Sequence, residues 1–347
     1  MILQNVIIVF SLLVVSAAFA AAMTPVLTNF LFRHRFGKQI RDANETPIYS
    51  AMHAQKAGTP TMAGVLVWGS ALLMTVVAWS VARVVPLGFF HDANFWSRSE
   101  TYLPIGMMVL AASVGLVDDL YNIRRRGAHG GGLRVRERLL LFAIVAAIGA
   151  WWFITKLDWT TLHLPLFGNI DIGWWYAPLF ILVIVGTGFS VDITDGLDGL
   201  AGGLLLICFM TFGVIAFLQG RVELASFIAV IVGALAAFLW FNVPPARFFM
   251  GDTGAMGLGV TLGVIAMLTN LAALLIVIGF PFVIEAISVI LQVVSKRIRH
   301  KKIFLSAPLH HHLEAKGWSE PKIVMRFWII GAISGVAGLT IFLIDRL

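Results

Sequence analysis

Six aspartates interrupt long apolar runs in three short stretches: Asp118 and Asp119 in "GLVDDLY", Asp192, Asp195 and Asp198 in "VDITDGLDGL", and Asp252 in "FFMGDTGA". Carboxylates gathered in one place repel one another and need a cation. Hard oxygen ligands favour Mg²⁺, which is held through one or two carboxylates plus substrate phosphates. The chemistry this pattern points to is metal-assisted handling of phosphate. Taken singly, an aspartate beside a glycine also reads as a turn or a helix N-cap. Six at the edges of apolar runs outweigh that reading, because an acid near bilayer depth costs up to ~3 kcal/mol and usually marks function.

Other polar stretches suit the same chemistry. "HAQKAGTPTMAG" offers Lys56 and a Gly-Thr-Pro-Thr turn that includes Thr59. "FNVPPARFFMGDTGAMGLG" sets Asn242, Arg247 and Asp252 among glycines. "APLHHHLEAKGWSEPKIV" contains His310, His311 and His312. Adjacent histidines diverge and show no zinc spacing, so donation to phosphate oxygens fits them better than metal ligation. Their plainer reading is a solvated polar loop. The three-residue spacing of Asp195 and Asp198 predicts one helical turn with both acids on one face. Gly196 and Gly199 allow an irregular helix start with exposed amide donors.

The elements that must position these residues are membrane helices. Of 347 residues, 59% are hydrophobic and 12% charged. Apolar runs of about 20 residues, enough to span ~30 Å of hydrocarbon, recur throughout; they exceed the strands of a barrel. The fold class expected is an all-α polytopic membrane protein, one domain over 1–347, with ten spans near 3–32, 61–85, 103–121, 139–156, 174–191, 200–219, 224–241, 254–269, 271–295 and 323–345. The first run reads as a retained helix, not a cleaved signal. The long stretch after 254 is divided at "LTN" (268–270), and Gly279 and Pro281 predict a kink in the ninth span. Cys208, the single cysteine, has no partner for an internal disulfide. Three basic loops, 33–41, 124–138 and 296–302, fall on one side of a ten-span layout. By the positive-inside rule that side is cytoplasmic and both termini lie outside. The net charge of +7 reads as topology and attraction to anionic headgroups, not nucleic-acid binding. The segment 162–174 alternates around Gly168-Asn169 and predicts a small extracytoplasmic β-hairpin.

In order along nearly the whole chain, "KAGTPTMAG", "GLVDDLY", "ITDGLDGLAGG", "FNVPPARFFMGDTGA" and "FLSAPLHHHLEAKGWSEPKIVMRFWII" resemble the phospho-N-acetylmuramoyl-pentapeptide transferase family. The His-His-His…Gly-Trp-Ser-Glu-Pro motif is its most specific mark among polyprenyl-phosphate sugar-1-phosphate transferases. The resemblance implies attack of undecaprenyl phosphate on the β-phosphate of UDP-MurNAc-pentapeptide, giving lipid I and UMP with Mg²⁺ as cofactor. It also implies a homodimer in the bacterial inner membrane, working at the cytoplasmic face. It implies that Asp118 and Asp119 meet the lipid phosphate and that Asp252 binds metal. Asp195 and Asp198 would serve the nucleoside side, with Lys56, Asn242 and Phe249 at the uridine pocket. His310, His311 and His312 would contact phosphates, His310 among the catalytic groups. Phe249 suits uracil stacking, although a lipid-facing aromatic is the plainer reading.

The chain departs from the family at Asn122, where a lysine is usual, and at Phe189 and Asp192, where asparagines are usual. Arg134, Arg136 and Arg138 stand where lysines are common, and Arg136 is expected to bind substrate. Asp192 would repel a diphosphate unless Mg²⁺ or an arginine lies close; a supplementary metal-ligand role is the expectation carried forward. Two alternatives remain: a related transferase using UDP-GlcNAc, which the histidine motif disfavours, and a transporter, which would favour midplane charge and internal repeats. Only Glu285 lies near the middle of an expected span, the other charged residues falling at span ends.

The topology is directly testable. With Cys208→Ser as background, a cysteine replacing Ala128 stays unlabelled by a membrane-impermeant thiol reagent added to intact cells. Labelling from outside would invert the layout.

Overall fold

The computed structural model describes residues 2–37, 56, 58–85, 88–98, 100–124, 126 and 131–347. Residues 38–41 of the first basic loop, Arg125 and 127–130 of the second lie outside them. With no water in hydrocarbon to satisfy the backbone, long apolar runs close their hydrogen bonds internally as helices. They do so in α1 (Ile2–Arg33), α2 (Val65–Val84), the short α3 (Gly88–Asp92), α4 (Tyr102–Ile123), α5 (Val135–Leu157), α6 (Tyr176–Thr194), α7 (Leu200–Leu218), α8 (Val222–Asn242) and α9 (Gly251–Leu268). There follow α10 (Ala272–Ile278), α11 (Phe280–Arg299), the short α12 (Leu309–Ala315) and α13 (Glu320–Ile344). Among the described residues nine helices are long and apolar enough to cross a membrane, and α10 with α11 makes a tenth candidate, bent by 88°. The chain is a multi-pass membrane protein.

The expected division near 268–270 separates α9 from α10, and the expected kink falls at Gly279, between α10 and α11. Pro281, in the first turn of α11, contributes no amide donor to it. Beyond the bend α11 turns a polar stripe inward: Glu285, Ser288, Gln292 and Ser295, spaced three and four apart, are all buried. Ile287, Ile290, Leu291, Val294 and Ile298 are exposed on its other side. Gln292 and Ser295 use the stripe to fasten the loop beyond the helix, bonding Ile303, Phe304 and the Lys301 carbonyl.

The centre is α9, buried at every position from Thr253 to Leu268 and packed against α4 and α6. Small residues permit that approach. A Cβ on Gly257 would meet Ala112 of α4, and one on Gly259 would meet Val191 of α6. The closest crossing lies at Gly115 of α4, where an added Cβ would collide with the backbone of Asp252 and Thr253.

Antiparallel alternation puts the ends of α4, α6 and α8 beside the starts of α5, α7 and α9. The opposite end carries a two-stranded antiparallel sheet, β1 (Thr161–Leu164) and β2 (Gly168–Asp171), with Leu164 opposite Gly168. The turn is therefore Pro165-Leu166-Phe167, earlier than the expected Gly168-Asn169, and Gly168 opens the second strand with φ of 85°. This sheet is tied to the last turn of the chain: His163 Nε2 lies 2.6 Å from Asp345, whose other oxygen accepts from the Leu166 amide at 2.6 Å.

The α4–α9 crossing is testable within one helix. Gly115→Ala lowers the thermal unfolding midpoint of the detergent-purified protein, since overpacking costs ~1–3 kcal/mol. Gly106→Ala, where a Cβ meets nothing within 4 Å, leaves it unchanged or raised. Equal midpoints for the two would refute the tight crossing.

Candidate functional site

Four helix ends converge on one guanidinium. Arg138, in the first turn of α5, places Nη1 3.0 Å from Asp192 at the end of α6 and Nη2 2.8 Å from Asp252 in the first turn of α9. The same Nη2 pairs with Asp118 of α4, whose other oxygen accepts from the Leu133 amide. Asp118 is fully buried. An unpaired buried carboxylate is costly, and arginine's planar fork, unlike a lysine's point charge, can serve several carboxylates at once. Arg136, two residues earlier, is exposed, so of the two it is Arg138 that reaches the acids. The arginine that Asp192 needs is thus 3.0 Å away.

Asp119 faces the other way. Its two oxygens accept from the amides of Asp252 and Thr253 at 3.1 and 2.9 Å. These are donors that the first turn of a helix cannot satisfy itself. Asp119 is thereby a remote N-cap for α9 and fixes the backbone that carries Asp252. Thr253 completes the joint by donating its hydroxyl to the Ala112 carbonyl at 2.9 Å.

A second cluster adjoins the first through the chain itself. Phe249 and Asp252 are three residues apart, a reach of at most ~11 Å. Phe249 is buried, which excludes a lipid-facing ring. Its backbone pairs with Pro60 and Ala63, so the stretch after Thr59 lies against it. The Thr59 amide in turn donates to the Lys56 carbonyl at 3.2 Å. Lys56 Nζ lies 5.8 Å from the Phe249 ring centroid, 2.6 Å from Asp198 and 2.5 Å from Glu320. Asp198 also accepts from the Ala246 amide at 3.0 Å.

The turn 195–199 is not the helical turn expected. α6 ends at Thr194, Asp195 follows as its C-cap, and α7 begins only at Leu200. Asp195 and Asp198 are separated by a tight bend, two of whose following amides are claimed from elsewhere. The Asp198 amide goes to Glu320 at 2.7 Å, and the Gly199 amide goes to Asn242 at 3.0 Å. Gly199 is left-handed, φ 76°, so an irregular helix start is present, but its amide is taken. Asn242 spends its remaining group on the Phe248 carbonyl.

The three histidines separate. His310 is fully buried, with Nδ1 3.2 Å from Glu285, which also accepts from the His310 amide. His310 Nε2 and His311 Nε2 both face Gly196, since a Cβ there would meet the two atoms. His311 is held by Glu314 at 2.7 Å. His312 turns away: its Nδ1 accepts from the Leu305 amide and its ring packs edge-on to Phe304. Partial burial, then Lys316, holds its pKa below the ordinary imidazole range, in keeping with a neutral ring that accepts.

At this site the buried Arg138 Nε, a donor, and the buried His310 Nε2 have no hydrogen-bond partner among the described residues. A buried guanidinium N–H in that state suits an anionic ligand. Among the described residues no three His, Cys, Asp or Glu side chains form a ready metal cage. What converges is three carboxylates against one guanidinium, an anionic excess of hard oxygens. That set fits a divalent cation sharing its coordination with substrate. Sequence reasoning missed Glu285, Glu314 and Glu320, which orient His310, His311 and Lys56. Glu285 had a signal, as the one acid inside an apolar run.

Acids, an arginine and a lysine gather at one end of a bundle of membrane helices, and residues 102–270, α4 through α9, match the family model described as "Glycosyl transferase family 4". The phospho-N-acetylmuramoyl-pentapeptide-transferase of Geobacillus thermodenitrificans is 37% identical over 328 residues, 94% of this chain and 95% of that protein. Its counterpart in Levilactobacillus brevis is 36% identical over 326 residues, 93% and 95% of the two chains. That of Chloroflexus aurantiacus is 36% identical over 351 residues, 96% and 90%. The chain belongs to the phospho-N-acetylmuramoyl-pentapeptide-transferase family.

The capping role of Asp119 separates it from Asp118. Asp119→Asn keeps one acceptor for two buried amides, and an unsatisfied buried donor costs ~1–3 kcal/mol. The variant therefore shows a lower thermal midpoint as well as lower activity. A full loss of activity at an unchanged midpoint would make Asp119 a reacting group instead.

Proposed function

We propose that this protein transfers phospho-MurNAc-pentapeptide from UDP-MurNAc-pentapeptide to undecaprenyl phosphate, forming lipid I and UMP for peptidoglycan synthesis. The observation that carries this reading is the closure of Asp118, Asp192 and Asp252 on Arg138, within three residues of the Lys56–Phe249 cluster. A lipid-phosphate oxygen bonds to the β-phosphorus as the bond from that phosphorus to the α,β-bridging oxygen breaks, and UMP carries that oxygen away. The attacking phosphate monoester, second pKa about 6, is largely ionised at pH 7, so no side chain has to remove a proton. Phosphoryl transfer then depends on positioning and charge neutralisation.

Lys56, Phe249 and the Asn242-held turn with Asp195 and Asp198 form the nucleoside side, Phe249 offering its face to uracil. His310 and His311, aimed at that turn, donate to phosphate oxygens, and Glu285 and Glu314 fix their rings. Asp118 and Arg138 face the reacting phosphates. Asp252 and Asp192 hold Mg²⁺, which when bound supplies positive charge to the phosphate oxygens. The site face is cytoplasmic and the termini and small sheet extracytoplasmic; this rests on the Lys and Arg asymmetry and on a water-soluble donor having to reach every motif from one side. The inner-membrane setting and a homodimer rest on the family resemblance.

Purified protein given undecaprenyl phosphate, Mg²⁺ and UDP-MurNAc-pentapeptide releases UMP, and with UDP-GlcNAc it does not. Asp252→Asn lowers the rate at least ~100-fold, as expected when charge stabilisation at the reacting centre is lost, with the thermal midpoint retained. Near-normal release by that variant in millimolar Mg²⁺ would reduce Asp252 to a helix-end residue. Release with UDP-GlcNAc alone would reassign the donor.

A further inference from the structure

Arg138 occupies the focus of three carboxylates, two of which, Asp192 and Asp252, the proposed function gives to a divalent cation. Its Nη2 spans Asp118 and Asp252 while Nη1 holds Asp192, and the side chain is mostly buried. Two cations cannot both sit at that focus without strong mutual repulsion at short range. The guanidinium is covalently present in every molecule, so the metal enters only by displacing it.

We infer that Arg138 is a resident counter-ion that competes with the divalent cation for Asp192 and Asp252, and that Asp118 is its tether. This rests on the metal reading above and adds an order to it. Without donor, the guanidinium offsets part of the acids' negative charge and keeps four helix ends together. A nucleoside diphosphate brings anionic oxygens, which offer the guanidinium an alternative partner and the metal its missing ligands. Arg138 then passes from Asp192 and Asp252 to phosphate while Asp118 keeps it in the site. Nε, buried and without a partner among the described residues, is a further donor for that phosphate. Asp192, an apparent liability beside a diphosphate, is thus compensated by Arg138 before the donor binds and by the metal after it. Metal and donor bind with positive coupling, and the free enzyme holds metal weakly.

The test measures Mn²⁺ binding to the full-length protein in detergent without nucleotide, by the electron paramagnetic resonance of free Mn²⁺. Arg138→Lys keeps a charge but, as a point donor, covers fewer of the three carboxylates; Arg138→Gln removes the charge. Mn²⁺ affinity rises from the unmutated protein through Arg138→Lys to Arg138→Gln, by about tenfold or more across the series, the usual scale for groups neighbouring metal ligands. Both variants lose UMP release although metal binds more tightly, which a merely structural arginine would not produce. If Arg138→Gln does not fold, Arg138→Lys alone decides: an affinity equal to or below that of the unmutated protein overturns the counter-ion role, as does a flat or reversed series. Failure of the metal reading looks different: no Mn²⁺ bound by any of the proteins, with UMP release undiminished in chelator.

Discussion

Carboxylates taken out of water must find positive charge, and the site face is organised around one guanidinium that provides it. Arg138 belongs to α5, and its partners belong to α4, α6 and α9. Apolar attraction does not choose between neighbours in lipid, where hydrocarbon tails are as apolar as leucine. Small-residue contacts set how closely α9 approaches α4 and α6. The ion cluster sets which ends meet and at what height. Breaking such a cluster is costly because it strands a buried charge.

The rest of the face is built from backbone donors and acceptors that helices leave open. Asp119 takes the first amides of α9, Asn242 and Glu320 take amides of the turn before α7, and Glu285 takes an amide at the start of α12. Each fixes a loop that carries a charged or aromatic side chain. The loops therefore present those side chains in set places although they lack regular structure, as a preorganised site requires.

The helices were legible because hydrocarbon thickness imposes a length that a run of residues displays directly. Gly279 and Pro281 likewise announced the bend locally. The misreadings have a common cause. Spacing made Asp195 and Asp198 a helical turn, but Asn242 and Glu320, distant in sequence, supply acceptors that hold the chain in a bend instead. Arg134, Arg136 and Arg138 look alike along the chain, and only the packing of α5 against its neighbours distinguishes the inward one. Glu320, beside Ser319 and Pro321, carries the marks of an ordinary helix start. Its contact with Lys56 spans 264 positions, beyond any local pattern. The small sheet shifted its turn because its register follows pairing across the strands.

That separation of Lys56 from Glu320 has a consequence for biosynthesis. The chain leaves the ribosome from its N-terminus, so Lys56 and Asp198 are in the membrane well before Glu320, and Trp328, which donates to the Gly199 carbonyl at 3.1 Å, emerges later still. The turn between α6 and α7 acquires its last acceptor and its last donor only when the final helix is inserted. A nascent chain can complete most of its crossings and still lack a fully fastened turn between α6 and α7. The contacts of that turn are thus complete only once α13 has been made, and a product terminated before it would enter the bilayer with the turn unfastened.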